Sequence, residues 1–276
     1  MHNKIIQQFT DYLMNEEKAP STISKYLKDL QQFINWLQNN AISKEILAQY
    51  KEHLTKQKRK PETVNGKLTA LNKFLSFLGK HELKIKYQKV QRQFFYSSSK
   101  ELTKAEYEKL LTTAEKLGKE RLLLLMQTIC ATGIRVSEVK YITAEAIKAG
   151  KAEIFLKGKI RTILLPGKLC KKLKKYAKKQ KTTSGEIFLT RSGKGIGRKQ
   201  IWAEMKALCK KAGIEGSKVF PHSLRHLFAR TFYNYSKDIS RLADILGHSS
   251  VETTRIYLIS TDKEHLRTMD KLQLIT

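Results

Sequence analysis

The sequence predicts a mainly α-helical protein in two parts: an N-terminal helical bundle, then a mainly helical domain that carries a small antiparallel β-sheet. Three observations predict it. Apolar residues recur at helical spacing through most of the chain, one stretch alternates as strands do, and a basic, polar segment separates two helical runs. At 276 residues the chain is long enough to bury two separate cores.

Taken in order, Ile5, Ile6, Phe9, Tyr12 and Leu13 share one face of a first helix, and Pro20 with Ser21 signals the start of a second. That helix carries Ile23, Tyr26, Leu27, Leu30, Phe33, Ile34 and Leu37 as one stripe. Ile46, Leu47, Tyr50 and Leu54 mark a third. Val64, Leu68, Leu71, Leu75 and Leu78 mark a fourth, begun after Pro61 and stopped at Gly79. The bundle therefore spans 1–82. In KHELKIKYQKVQRQFFYSSSK the apolar residues alternate with polar ones and the charge stays basic, so 83–100 reads as an extended linker. Thr103 and Glu106 form a capping box that opens the second domain, 101–276. Within it, RLLLLMQTICATG is a buried helix ending at Gly133, and AEIFLKGKIRTILLP is a β-hairpin turning at Lys157 to Ile160. EIFLT at 186–190 is a further short strand. Ile201, Trp202, Met205, Leu208 and Cys209 form a helix before VFPHSLRHLFARTF.

Composition narrows the function classes. No apolar run approaches the roughly 20 residues of a membrane span, and the N-terminus lacks a signal peptide's apolar region. A soluble, cytoplasmic protein with no membrane association is expected. Cys130, Cys170 and Cys209 stand far apart, which favours neither a disulfide framework nor a thiolate zinc site. Fifty-four Lys and Arg against 25 Asp and Glu give a net charge of +29, which calls for a polyanion, nucleic acid first. Between Lys148 and Lys181 thirteen basic residues face one acidic residue, Glu153. A one-sign field of that kind attracts phosphate, and lysine in place of arginine suits backbone neutralisation more than base reading. Lys159, Arg161, Lys168, Lys171 and Lys172 are the expected DNA contacts.

Three short stretches carry the chemistry. In PHSLRHLF, Pro221 opens a helix whose first turns place His222 and Arg225 on one face. In ATGIRVSE, Arg135 follows the break at Gly133 and can point into a cleft, so that two guanidinium forks could clamp one phosphate. In LGHSSVETTRIY, Ser249 and Glu252 form a capping box, which sets His248 at the mouth of a helix that carries Tyr257. A tyrosine needs cationic neighbours and a proton acceptor before it attacks phosphorus.

These stretches resemble the boxes of the tyrosine recombinases, or phage integrase family, in the family's order and with its nine-residue step from histidine to tyrosine. The resemblance covers most of residues 101–260, and the bundle before it is similar to the family's SAM-like core-binding domain. It implies a site-specific recombinase or integrase of the simple Xer-like kind that cleaves and rejoins strands through a 3′-phosphotyrosine. The reaction would need no metal, nucleotide or other cofactor. Tyr257 would be the nucleophile. Arg135, Arg225 and His248 would hold the non-bridging oxygens, His222 would assist proton transfer, and Glu138 would support the site from behind. Lys157 would protonate the leaving 5′ oxygen; the hairpin is about one residue shorter than the family's, which leaves Lys159 as a rival. The implied partners are double-stranded DNA with specific recombination sites and a homo-tetramer assembled on it, with the tail after Tyr257 docking on a neighbour or in cis. The family pattern makes His226 structural.

Three rivals are weaker. His222, His226 and His248 as metal ligands would place Arg225 beside a dication and leave Tyr257 idle. A non-catalytic DNA-binding protein has no need of arginines, histidines and a tyrosine in this order. Relaxation of the type IB topoisomerase kind shares the chemistry but not the close match of all three boxes.

Overall fold

The structure, a computed structural model, describes residues 2–38, 40–89, 101–156, 159–248, 250–257 and 270–271. The chain divides into two compact units, Met1–Arg92 and Gln93–Thr276. The fold class is as expected: mainly helical, with a two-stranded antiparallel sheet.

The first unit holds α1 (His2–Asn15), α2 (Pro20–Leu37), α3 (Lys44–Lys56) and α4 (Pro61–Phe77). Pro20 and Pro61 occupy first turns, where no N–H is lost, and Ser43 caps α3 by accepting from Ile46 N. The stripes read from the sequence meet in one core of Phe9, Leu13, Leu30, Phe33, Leu47, Tyr50, Leu68, Leu71 and Leu75. Phe9 meets Phe74 edge-on at 5.2 Å, and Phe33 meets Tyr50 likewise at 4.9 Å. Lys67 of α4 pairs with Asp29 of α2 at 2.8 Å inside the bundle. The segment expected to be linker from residue 83 is docked on α4 as far as 88. Asn72 exchanges two bonds with the Ile85 backbone and Asn65 two with that of Gln88, so side-chain amides complete what would otherwise be an unpaired strand.

The second unit opens with α5 (Lys104–Lys116), where the Thr103–Glu106 capping box is formed in both directions, and continues with α6 (Glu120–Thr132), α7 (Ala144–Ala149), β1 (Lys151–Leu156) and β2 (Lys159–Leu164). The helices α8 (Gly167–Lys179), α9 (Arg198–Ala212), α10 (Pro221–Ser236), α11 (Ile239–Leu246) and α12 (Val251–Arg255) follow. Leu110, Leu125, Met126, Ile129, Ile154 and Leu208 lie in its core. The β-ladder closes with the pair Leu156↔Lys159, so Lys159 and Ile160, two of the four residues of the turn expected at 157–160, belong to β2. EIFLT is not a strand: Glu186 and Leu189 make isolated bridges to Thr143 and Gly195, while Ile187 and Phe188 pack into the core. Helix α12 is capped by Ser250, whose hydroxyl accepts from Glu252 N; Ser249, the expected cap, lies outside the described residues. No helix among the described residues is long and apolar enough to cross a membrane.

Candidate active site

Helix α6 ends in a left-handed residue, Gly133, with φ +66°. A side chain is excluded there twice over, because a Cβ would also stand 2.5 Å from Phe228 Cδ1 of α10. This close approach brings α10 against the end of α6. Arg225, fully buried on α10, then donates from Nη1 to the Gly133 carbonyl at 2.5 Å and from Nη2 to the Leu246 carbonyl of α11 at 2.9 Å. The ends of two helices, each rich in unpaired carbonyls, thus hold one guanidinium in place.

Beyond Gly133 the chain turns through a short 3-10 segment, Val136–Tyr141. Glu138, 1% exposed, reaches back to Arg135, accepting from its backbone N at 2.8 Å and from Nη1 at 3.1 Å. The Arg135 side chain remains 41% exposed and available to a ligand. Glu138 also accepts from Arg161 Nη2 at 2.8 Å, and Arg161 Nη1 donates to the Leu246 carbonyl. Arg161, an expected DNA contact, instead has its side chain turned inward and ion-paired, because β2 directs positions 161 and 163 to the core and 160, 162 and 164 outward.

His248 and Tyr257 complete the cluster. His248 Nε2 lies 2.8 Å from Arg225 Nη2, and Nδ1 lies 2.8 Å from Thr254 Oγ1. A guanidinium can only donate, so Nε2 is the acceptor, and Nδ1 carries the proton given to Thr254. Burial, with Arg225 and Arg135 adding to it, pushes the His248 imidazole down to about 4, so the neutral form is the one present at neutral pH. Tyr257, 6% exposed, accepts from Arg225 Nε at 3.4 Å, and its Oη lies 3.3 Å from His222 Nε2. Burial, then Arg225 and Arg135, also lowers the pKa of His222. His226 packs its ring 4.4 Å from that of Tyr257 and 4.8 Å from that of His222, and burial pushes it down to about 4.

Arg135, Glu138, His222, Arg225, His248 and Tyr257, all expected from the sequence, are thus in one place. Lys157 lies outside the described residues, as does the tail apart from 270–271, and Lys159 enters only through its backbone pair with Leu156. Lys168, Lys171 and Lys172 sit on the exposed side of α8, opposite buried Leu169, Cys170, Leu173 and Tyr176; Lys172 Nζ donates to Gln127 Oε1 at 3.2 Å. Among the described residues no group of three His, Cys, Asp or Glu side chains is placed to hold a metal ion. Two further roles in the site are not read from the sequence. Thr254 is fully buried and orients His248, and its place one helical turn before Tyr257 is a signal for it. The inward role of Arg161 has no local signal, since its partners come from distant segments.

Known proteins resemble this chain in both of its parts. The phage integrase family matches residues 100–264, and the phage integrase N-terminal SAM-like domain matches residues 6–82. The chain is 28% identical over 282 residues to tyrosine recombinase XerA of Pyrococcus furiosus, covering 100% of this chain and 96% of the relative. Among solved structures, the XerH site-specific recombinase bound to difH substrate in a pre-cleavage complex superposes with a TM-score of 0.70 at 19% identity, over 99% of this chain and 95% of that one. A lambda integrase dimer bound to a COC′ core site gives a TM-score of 0.73 at 17% identity, over 92% and 94%. At these identities the structural likeness is one of fold. Matched over more than half its length by the family itself, and over most of the remainder by the family's N-terminal domain, this chain belongs to the phage integrase family, the tyrosine recombinases.

Proposed function

We propose that this recombinase exchanges strands of double-stranded DNA at specific sites, with Tyr257 as the nucleophile and a 3′-phosphotyrosine as the intermediate. One observation carries the reading: Tyr257 Oη stands between a guanidinium that can only donate to it, Arg225 Nε at 3.4 Å, and an imidazole that can receive its proton, His222 Nε2 at 3.3 Å. Burial, then Arg225 and Arg135, lowers the pKa of that imidazole, which favours its neutral form, the one with a lone pair to take the proton.

As Oη attacks, a bond forms to phosphorus, the bond from phosphorus to the 5′ oxygen breaks, and the phenolic proton passes to His222. The scissile phosphate replaces the phenolic oxygen as the acceptor on Arg225, while the more exposed Arg135 closes on it from the other side. Their donors are fixed before the charge develops, so no reorganisation is needed when it does. His248 assists at a non-bridging oxygen. The departing 5′ oxygen takes a proton from the hairpin lysine, Lys157, with Lys159 as its rival. The linkage energy stays in the phosphotyrosine, so rejoining consumes neither nucleotide nor metal.

The net charge of +29 supports a DNA partner. In this reading the bundle, 1–82, grips the duplex as a core-binding domain, 83–100 links it to the catalytic domain, 101–276, and four protomers assemble on two recombining sites in the cytoplasm. A nicked suicide substrate, whose cleaved end diffuses away, tests the chemistry. Wild type should form a covalent complex, with or without EDTA, and Tyr257→Phe should bind DNA and form none. A covalent complex with the Phe variant would mean another nucleophile.

A further inference from the structure

One largely covered charge in this cluster has no part in the reaction as written. Arg161 projects from β2 with its side chain 15% exposed. Its guanidinium spans two acceptors, Glu138 Oε2 at 2.8 Å and the Leu246 carbonyl. Each acceptor is shared with a second guanidinium. Glu138 also accepts from Arg135 Nη1 at 3.1 Å, and the Leu246 carbonyl also accepts from Arg225 Nη2 at 2.9 Å. The bonds therefore run unbroken from Arg135 to Glu138, to Arg161, to the Leu246 carbonyl and to Arg225.

Keeping this third cation is costly. Burial pushes Arg161 down to about 10, with Arg225 and Arg135 adding to the effect and Glu138 opposing it. Three like charges stay this close because a carboxylate and a carbonyl stand between them. The backbone has also made room. Gly247 adopts φ +63°, and a Cβ there would overlap the Arg161 side chain. A solvated surface arginine would require none of this.

We infer that Arg161 is a positioning residue for strand cleavage: it holds Arg135 through Glu138 and Arg225 through the Leu246 carbonyl, and so fixes the spacing and orientation of the two forks that receive the scissile phosphate. The inference rests on the assignment of Arg135 and Arg225 to that phosphate. It also removes Arg161 from the residues that bind DNA.

The experiment compares single-turnover cleavage by wild type, Arg161→Gln, Arg161→Lys and Arg135→Ala on three scissile linkages. These are an ordinary phosphate, a methylphosphonate, which lacks the charged non-bridging oxygen, and a 5′-bridging phosphorothiolate, whose sulfur leaves without a proton. On the ordinary phosphate Arg161→Gln should be slower by about 100-fold, the cost of misplacing a catalytic group by roughly 1 Å. Arg161→Lys keeps a cation opposite Glu138 but not the fork, so it should remain slow, and it serves if the Gln variant does not fold. DNA affinity and its salt slope should match wild type. On the methylphosphonate the deficit should shrink to less than about fivefold, since less charge needs stabilising. Sulfur should not shrink it. The inference falls if the ordinary rate is unchanged, if the deficit persists on the methylphosphonate, if sulfur rescues it, or if the salt slope drops by about one, as it would if Arg161 neutralised a phosphate directly. Arg135→Ala separates the two levels. If it too fails to recover on the methylphosphonate, the clamp assignment has failed and takes the inference with it; if it recovers and the Arg161 variants do not, the inference alone is wrong.

Discussion

The arginines around Tyr257 and the lysines of α8 carry the same charge in opposite settings. Arg225 is fully buried, with every guanidinium nitrogen facing an acceptor, and Arg161 and Arg135 converge on a single carboxylate. On α8 the core takes Leu169, Cys170, Leu173, Tyr176 and Ala177, and Lys168, Lys171, Lys174, Lys175 and Lys178 point to solvent. A buried fork gives direction and resists movement at a high desolvation cost. An exposed ammonium gives attraction with little direction at almost no cost. Catalysis needs the first and affinity the second, so each region should respond to substitution in its own way.

The largest separation is expected at Arg225. Arg225→Lys keeps the charge but loses the fork, and should slow cleavage by about 1,000-fold, near the upper range for removing one preorganised donor. DNA affinity, measured by gel shift, should stay within about twofold of wild type. A loss of affinity as large as the loss of rate would break the comparison, because the buried cluster would then be a binding patch.

The hairpin should show a loss of about 100-fold and belongs with the arginines in kind. Lys157→Ala should regain most of its rate on a 5′-bridging phosphorothiolate, which needs no proton donor, whereas Arg225→Lys should not. Rescue of Lys159→Ala in its place would exchange the two lysines. Rescue of neither would make the hairpin a DNA contact like α8.

How far the sequence foretells these regions follows from how local their determinants are. The four helices of the first unit are legible because their apolar residues recur at helical spacing, and Pro20 and Pro61 also announce the starts of two of them. The Thr103–Glu106 box is legible as a local start signal too. Arg135, Arg225, His248 and Tyr257 are legible through three short boxes, and their convergence is implied by the resemblance, not by periodicity. Arg161 is not. Ile160, Ile163 and Leu164 put apolar residues on both sides of β2, so alternation cannot say which face is inward, and its partners lie 23 and 85 positions away. EIFLT misleads because its bridges are to Thr143 and Gly195, which no strand period announces.

A smaller effect is expected on α8. Replacing Lys168, Lys171 and Lys172 with Gln should lower the slope of log affinity against log salt by about 0.9 for each phosphate that these lysines neutralise. Cleavage at saturating protein should be unchanged. An unchanged slope would mean that these lysines only solvate the surface.

The smallest expected effect concerns acid. His226 and His248 are both held at about 4, against an ordinary 6.5, chiefly by burial. Below pH 6.5 the unfolded chain binds protons at these positions that the native site refuses until about pH 4. Stability is therefore complete above 6.5 and declines as pH falls from 6.5 toward 4. His226→Phe keeps a ring against Tyr257 and removes one of the three lowered histidine titrations, His222 being the third, so the difference in Tm between pH 7.5 and pH 5 should shrink by a few degrees. The α8 lysines lie on the exposed side of their helix, away from the buried histidines, so the triple Gln variant should show the same difference as wild type. If that variant flattened the pH dependence and His226→Phe did not, acid sensitivity would arise from charge crowding on the surface, and the buried cluster would lose its claim to be the electrostatically costly region of the molecule.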